Sequence, residues 1–179
     1  MKAIDLLLNR HSCARLTAPA PEGADLETIW NAGLRAPDHG GLSPWRFIHV
    51  SGEGLSKLAG IFEQAALAEQ GDTEKAKAMP FRAPLITIVV ASPKAHSKVP
   101  EIEQVLSAGC AVHAMQMAAY AQGYNGIWRT GPMAYSPIVN RELGLTEQES
   151  IVGFLYLGSP QTKVSKTREL PFKDYVSWL

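Results

Sequence analysis

The chain has 179 residues, 46% of them hydrophobic, which is enough to form one compact domain over residues 1–179 with a sizeable core. Lys and Arg together number 17, and so do Asp and Glu together, so the formal net charge is zero. This balance argues against nucleic acid or a membrane as a partner, because both attract basic proteins. The 2 cysteines, Cys13 and Cys110, lie far apart in the chain and predict no disulfide framework and a cytoplasmic protein.

The first predicted element is a short helix over residues 3–9. Its apolar side chains, Ile4, Leu7 and Leu8, are expected to pack against the core. Asp5 interrupts this apolar run, so the segment does not predict a secretory signal peptide.

Two further helices and one strand are predicted in the N-terminal half. Apolar residues recur at helical spacing in residues 25–35 and 55–69. The first of these helices has an apolar face: Leu26, Ile29, Trp30 and Leu34. Residues 45–50 are rich in β-formers and predict a strand, whereas the prolines and paired glycines of residues 37–44 predict a loop. Residues 73–79 predict a short polar helix or loop.

The C-terminal half predicts a central strand and a long helix. Residues 84–91 are apolar on both faces of a strand, which is typical of the middle of a sheet. The helix over about residues 103–122 is apolar on nearly every face, so we expect it to be buried all round, partly by a partner subunit. His113 and Gln116 make it too polar to span a membrane. The remaining predicted elements are a strand around Ile127, a helix over residues 137–143, a core strand over residues 151–157 and a polar tail over residues 159–179.

Three segments combine cations, hydroxyls or tryptophan with residues that disfavour regular helix. They are RHSCAR at residues 10–15, APDHGGLSPW at residues 36–45 and GIWRTG at residues 126–131. Arg with Ser or Thr suits an anion such as phosphate, and Trp beside Gly or Pro suits a flat ring held against backbone. Together they predict a nucleotide-like or flavin-like ligand. The chain has no GxGxxG after its first strand and no GxxxxGK[ST], which disfavours the two common phosphate-loop folds.

Each candidate also has a purely structural interpretation. Cations such as Arg10 and Arg35 are ordinary at a helix C-terminus, a histidine in a loop such as His39 is commonly a surface residue, and Trp45 is typical of a core. The spacing of the histidines and cysteines predicts no metal site. Cys13 lies among arginines that would favour its thiolate, so a thiol enzyme is an alternative hypothesis.

The order and spacing of several motifs resemble the nitroreductase family, specifically its short, single-domain bacterial members. The motifs, which extend over nearly the whole chain, are R-x-S-x-x-R from residue 10, R-A-P-D-H from residue 35, M-P-F-R-A-P-L from residue 79, S-A-G-C-A-V from residue 107, M-Q-M-A-A from residue 115, G-I-W-R from residue 126 and I-V-G-F-L-Y-L-G from residue 151. Family members commonly carry a second Arg where this chain has His11, and their loop is larger at Gly40 and Gly41.

The resemblance implies an α+β fold with a mainly antiparallel mixed sheet flanked by helices, and a long buried helix at a homodimer interface. It also implies one FMN at each interface site. The residues expected to contact it from one subunit are Arg10, His11, Ser12, Trp128, Arg129 and Thr130, and those from the partner are Arg35 and His39.

The activity implied by this resemblance is that of an oxidoreductase in which NADH or NADPH reduces FMN, and the flavin then reduces a nitroaromatic or quinone-like acceptor in a ping-pong reaction. The chemistry belongs to the cofactor, so no side chain is expected to be catalytic. The alternative is a flavin-binding protein or a specialised FMN dehydrogenase without nitroreductase turnover. It is motivated by His11 and by the loop around Gly40 and Gly41.

Overall fold

The computed structural model describes residues 2–161 and 170–179. Its helices are α1 (Ala3–Asn9), α2 (Gly23–Gly33), α3 (Glu53–Ala68), α4 (Thr73–Ala78), α5 (Glu101–Ala121) and α6 (Pro137–Glu142). Its strands are β1 (Leu16–Thr17), β2 (Trp45–Ser51), β3 (Leu85–Ala91), β4 (Asn125–Arg129) and β5 (Ser150–Pro160). Every strand pair in these described residues is antiparallel. The helices on both sides of this sheet confirm the predicted α+β fold.

The sheet separates two apolar layers. The strands run in the order β1-β5-β3-β2, and β3 is buried along its whole length, as predicted for a central strand. Because neighbouring side chains of a strand point to opposite faces, Phe154 of β5 joins a first core layer with Phe62 of α3, whereas Leu155 joins a second core layer with Met115 of α5. We call these the α3 layer and the α5 layer.

Strand β4 lies at an edge of the sheet. It pairs with β5 from Asn125 opposite Gly158 to Arg129 opposite Phe154, on the side of β5 that faces away from β3. No other strand of the described residues pairs with its outer edge. The predicted strand around Ile127 is therefore confirmed, and it is an edge strand of the sheet.

Several predictions about burial are wrong for the single chain. In α1, Ile4, Leu7 and Leu8 are 56%, 59% and 69% exposed, because this helix lies at the surface rather than over the core. Leu34, the residue that follows the last residue of α2, is 52% exposed rather than buried with Leu26 and Ile29.

The long helix α5 is also not buried on every face by its own chain. Ala108, Val112 and Met115 are fully buried, but Ile102 and Leu106 are 62% and 61% exposed. The predicted tail divides into the end of β5, residues 162–169, which lie outside the described residues, and residues 170–179, which are all exposed.

Candidate functional site

The N-terminal segment after α1 lies alongside β4. The Cys13 backbone N–H donates to the Gly126 carbonyl at 3.1 Å, and the buried Gln116 side chain of α5 donates to the same carbonyl at 2.9 Å. Residues 10–13 are therefore held against the beginning of β4, and Trp128, Arg129 and Thr130 follow on that strand and just after it. The structure brings together the first and third segments that the sequence singled out.

His11 links this segment to β4 through both of its ring nitrogens. Nδ1 lies 3.1 Å from the Asn9 carbonyl, which only accepts, and Nε2 lies 3.0 Å from the Asn125 side-chain nitrogen, which only donates. The Asn125 oxygen accepts the Gly126 N–H at 2.7 Å, which fixes the orientation of the amide. With these partners, Nδ1 donates to the Asn9 carbonyl and Nε2 accepts from the Asn125 amide. The ring also packs edge-on against Tyr120, with centroids 5.3 Å apart.

Trp128 occupies a slot that only glycine leaves open. Its Nε1 donates to the Val152 carbonyl at 3.2 Å, and a Cβ added at Gly153 would lie only 2.0 Å from that nitrogen. On α5, a Cβ at Gly109 would lie 3.5 Å from the edge of the indole. The side chain is still 39% exposed, so one part of the ring is fixed by the protein while the rest is available for contact.

Arg129 points to the opposite face of β4, into a cavity of about 330 Å³. Its guanidinium lies over the ring of Tyr156, 5.7 Å from the centroid. Its Nε is buried and has no hydrogen-bond partner in the described residues. A second arginine, Arg82, lines the same cavity.

Arg35 and His39 lie elsewhere on the chain. His39 pairs through Nδ1 with Glu103, 2.7 Å away at the beginning of α5, in a turn where Gly40 and Gly41 have φ values of +79° and +64°. His11 packs near the other end of α5, about 25 Å farther along the helix axis. Within one chain, the structure does not bring His39 to the group around Arg10.

The thiol hypothesis is not supported by the position of Cys13. The residue is 3% exposed, and its Sγ donates to the Arg15 carbonyl at 3.2 Å, so the thiol is enclosed rather than presented to a substrate. Within the described residues, no group of three or more His, Cys, Asp or Glu side chains could hold a metal ion.

Sequence reasoning missed three residues of this region: Arg82, Gln116 and Asn125. The signal for Asn125 was a polar residue immediately before the glycine that begins the GIWRTG segment. Arg82 gave no local signal, because it reaches the cavity from the turn before β3, far from Arg129 in sequence.

A model of the nitroreductase family matches residues 7–159 of the chain. The chain belongs to the nitroreductase family. It is 51% identical over 174 residues to a protein of Escherichia coli K12 provisionally named NAD(P)H nitroreductase YdjA, and the match covers 96% of the chain and 95% of that relative.

Solved structures of this family have the same fold. A nitroreductase-like family protein of Bacillus cereus superposes with a TM-score of 0.86 at 21% identity, covering 100% of the chain and 96% of that protein. An FMN-dependent nitroreductase of Clostridium difficile superposes with a TM-score of 0.73 at 21% identity, covering 98% of each chain. Among the described residues of this nitroreductase-family member, no helix is both long and apolar enough to cross a membrane.

Proposed function

We propose that this protein is an FMN-dependent oxidoreductase that uses NADH or NADPH to reduce nitroaromatic or quinone-like acceptors in a ping-pong reaction. The observation that carries the proposal is the attachment of the segment around His11 and Cys13 to the beginning of β4, the strand that leads to Trp128, Arg129 and Thr130. The family relationship and the FMN-dependent structural neighbour support the same cofactor. FMN, when bound, would supply the hydride and electron transfer.

The residues present fit such a cofactor. Arg10 and the exposed Ser12 offer a cation and a hydroxyl to its phosphate or ribityl chain, and the buried, unpaired Nε of Arg129 offers a donor to an anionic or carbonyl oxygen. Beyond Gly126, where Cys13 is attached, the outer edge of β4 has no partner strand in the described residues, so its backbone groups would be able to contact a flat ring. His11 is committed to Asn9 and Asn125, so we propose that this residue contributes through its backbone.

The protein's own contribution to catalysis is position and charge. If FMN is bound here, the guanidinium of Arg129 and backbone N–H groups of β4 would stabilise the negative charge that reduction places on the ring. The indole of Trp128, fixed beside Gly153 but 39% exposed, would be available to contact the cofactor. No side chain of the described site needs to act as a general base.

We also propose a homodimer with two shared sites. Arg35 and His39 would then contact the FMN that the partner subunit holds with Arg10 and Ser12, which removes the separation of about 25 Å along α5 within one chain. Apolar residues left exposed on α1 and α5 supply a surface for the second copy: Ile4, Leu7, Leu8, Ile102 and Leu106. The exposed aromatic side chains of residues 170–179 add to it: Phe172, Tyr175 and Trp178.

The two free cysteines, one buried and one exposed, agree with a cytoplasmic location.

The test is the visible spectrum of the purified protein before and after NADPH or NADH under anaerobic conditions. We expect a flavin spectrum that bleaches with the nicotinamide and returns when a nitroaromatic or quinone is added. Bound FMN that neither nicotinamide bleaches would favour the flavin-binding alternative without turnover. A colourless protein that cannot be loaded with FMN contradicts the proposal.

A further inference from the structure

The cavity on the α3 side of β4 is lined by two arginines and by apolar side chains. The residues around it are Phe62, Met79, Arg82, Arg129, Met133 and Tyr156, together with neighbouring parts of β4, β5 and the turn after β4. Its volume of about 330 Å³ is at the lower end of the range for small-ligand sites. It therefore has room for a small ligand, or for one end of a larger one.

Neither arginine in the cavity is neutralised by the residues that the structure describes. Arg46 pairs with Glu149 and Arg141 with Glu142, whereas Arg10, Arg15 and Arg35 make no ion pair within the described residues. For Arg82 and Arg129, no carboxylate of residues 2–161 or 170–179 lies within ion-pair distance. A buried guanidinium nitrogen without an acceptor, such as Arg129 Nε, is unfavourable unless a ligand supplies one.

Both arginines share their cavity with one phenol, because Arg82, Arg129 and Tyr156 all line it. Burial raises the pKa of Tyr156, and the charges of Arg82 and Arg129 oppose that rise. The Tyr156 ring also supports the guanidinium of Arg129 at 5.7 Å. Two cations and a phenol in a cavity that Phe62 and Met133 also line suit an anion with an apolar body.

We propose that Arg82 and Arg129 form a binding site for an oxyanion, phosphate or carboxylate, carried by a ligand whose apolar part packs on Phe62 and Met133. The inference rests on the proposed function and deepens it, because Arg129 belongs both to the proposed FMN site and to this oxyanion site. Two sources of the oxyanion share this chemistry: the phosphate of FMN itself, or a separate small aromatic acid that binds beside the flavin.

The experiment compares the purified protein with Arg82→Gln and with the matched control Arg141→Gln, which removes an exposed arginine remote from the cavity. Dissociation constants are measured for FMN and riboflavin by flavin fluorescence, and for benzoate and inorganic phosphate by calorimetry. Arg82→Lys keeps the cation and serves as the second variant if Arg82→Gln does not fold.

Arg82→Gln is expected to raise the dissociation constant of one class of ligand at least tenfold, because a hydrogen bond to a charged group is lost. Arg141→Gln is expected to leave all the dissociation constants unchanged. If FMN supplies the oxyanion, FMN binding weakens and riboflavin binding does not. If a separate acid supplies the oxyanion, benzoate binding weakens while the dissociation constants of FMN and riboflavin do not change.

Equal loss of FMN and riboflavin affinity in Arg82→Gln would mean a structural role and would overturn the proposal, as would no change in any affinity. A protein that binds neither flavin but binds benzoate in an Arg82-dependent way would refute the proposed function and retain the anion site. The two proposals can therefore fail separately.

Discussion

Replacing Gly153 by alanine should expel Trp128 from its slot. The added Cβ would lie 2.0 Å from Nε1 and 2.4 Å from Cδ1 of the indole, far inside van der Waals contact, so the ring must swing away from β5. The movement breaks the 3.2 Å hydrogen bond to the Val152 carbonyl. That loss of about 1 kcal/mol, together with an overpacking cost of about 1–3 kcal/mol, gives an expected destabilisation of about 2–4 kcal/mol.

The free energy of unfolding from urea titrations measures this effect, and a double-mutant cycle assigns it to the indole. Trp128→Ala removes the two indole atoms nearest to the new Cβ, and the next nearest atom is the Arg129 carbonyl oxygen at 3.0 Å, so Gly153→Ala should cost clearly less in that background. Gly60→Ala is the control, because its Cβ meets nothing within 4 Å on helix α3 and should stabilise the protein by up to about 1 kcal/mol. An equal cost of Gly153→Ala with and without Trp128 would refute this reasoning.

Three further predictions concern the acid stability, the N-terminal link and the thiol. Arg46 and the Thr146 N–H lower the pKa of Glu149 from 4.5 to about 2, so this carboxylate stabilises the fold above pH 4.5 and the contribution is lost as the pH falls towards 2. Glu149→Gln should therefore lower the free energy of unfolding by about 2 kcal/mol at pH 7, a figure reduced because the Arg46 side chain is 37% exposed. In urea titrations, the variant should lose less stability than the wild type as the pH falls from 4.5 towards 2. An unchanged dependence of stability on pH would contradict this prediction. His11→Ala removes two hydrogen bonds and should cost about 1–2 kcal/mol while weakening FMN binding, and a variant with wild-type stability and FMN affinity would contradict the positioning role. Cys13→Ser keeps a donor for the Arg15 carbonyl and should retain NAD(P)H-driven reduction; abolished turnover in a folded, FMN-loaded variant would restore the thiol hypothesis.

The elements that the sequence predicted well have a strong local pattern. Strand β3 is apolar on both faces and is buried throughout, and the long apolar run of α5 gave its extent to within two residues at its beginning and one at its end. Strand β1 was missed because it has only 2 residues, and its pairing with the end of β5 depends on contacts made across the whole chain.

Burial was harder to predict than secondary structure. The apolar side chains of α1 have helical spacing, but spacing does not tell whether the surface that covers them belongs to the same chain. The same holds for Ile102 and Leu106 of α5. These errors have one physical cause, since the hydrophobic effect is non-directional and acts between chains as well as within them.

The sequence singled out candidate site residues only where they are adjacent in the chain. Arg10, Ser12 and Trp128 stood out from glycine, hydroxyl and cation patterns that can be recognised locally. Arg82 and Asn125 did not, because their roles come from partners that only the fold brings close: Arg129 across the cavity for one and His11 for the other.

The most direct test of a shared site is complementation between two inactive chains. Arg10→Ala and Arg35→Ala are expected to abolish FMN binding separately, and co-expression should produce mixed dimers in which one of the two sites has both arginines. With random pairing, about a quarter of all sites should then bind FMN, measured as flavin released per chain. No recovery of bound flavin in the co-expressed protein, or a wild-type protein that binds FMN as a monomer, would contradict the account.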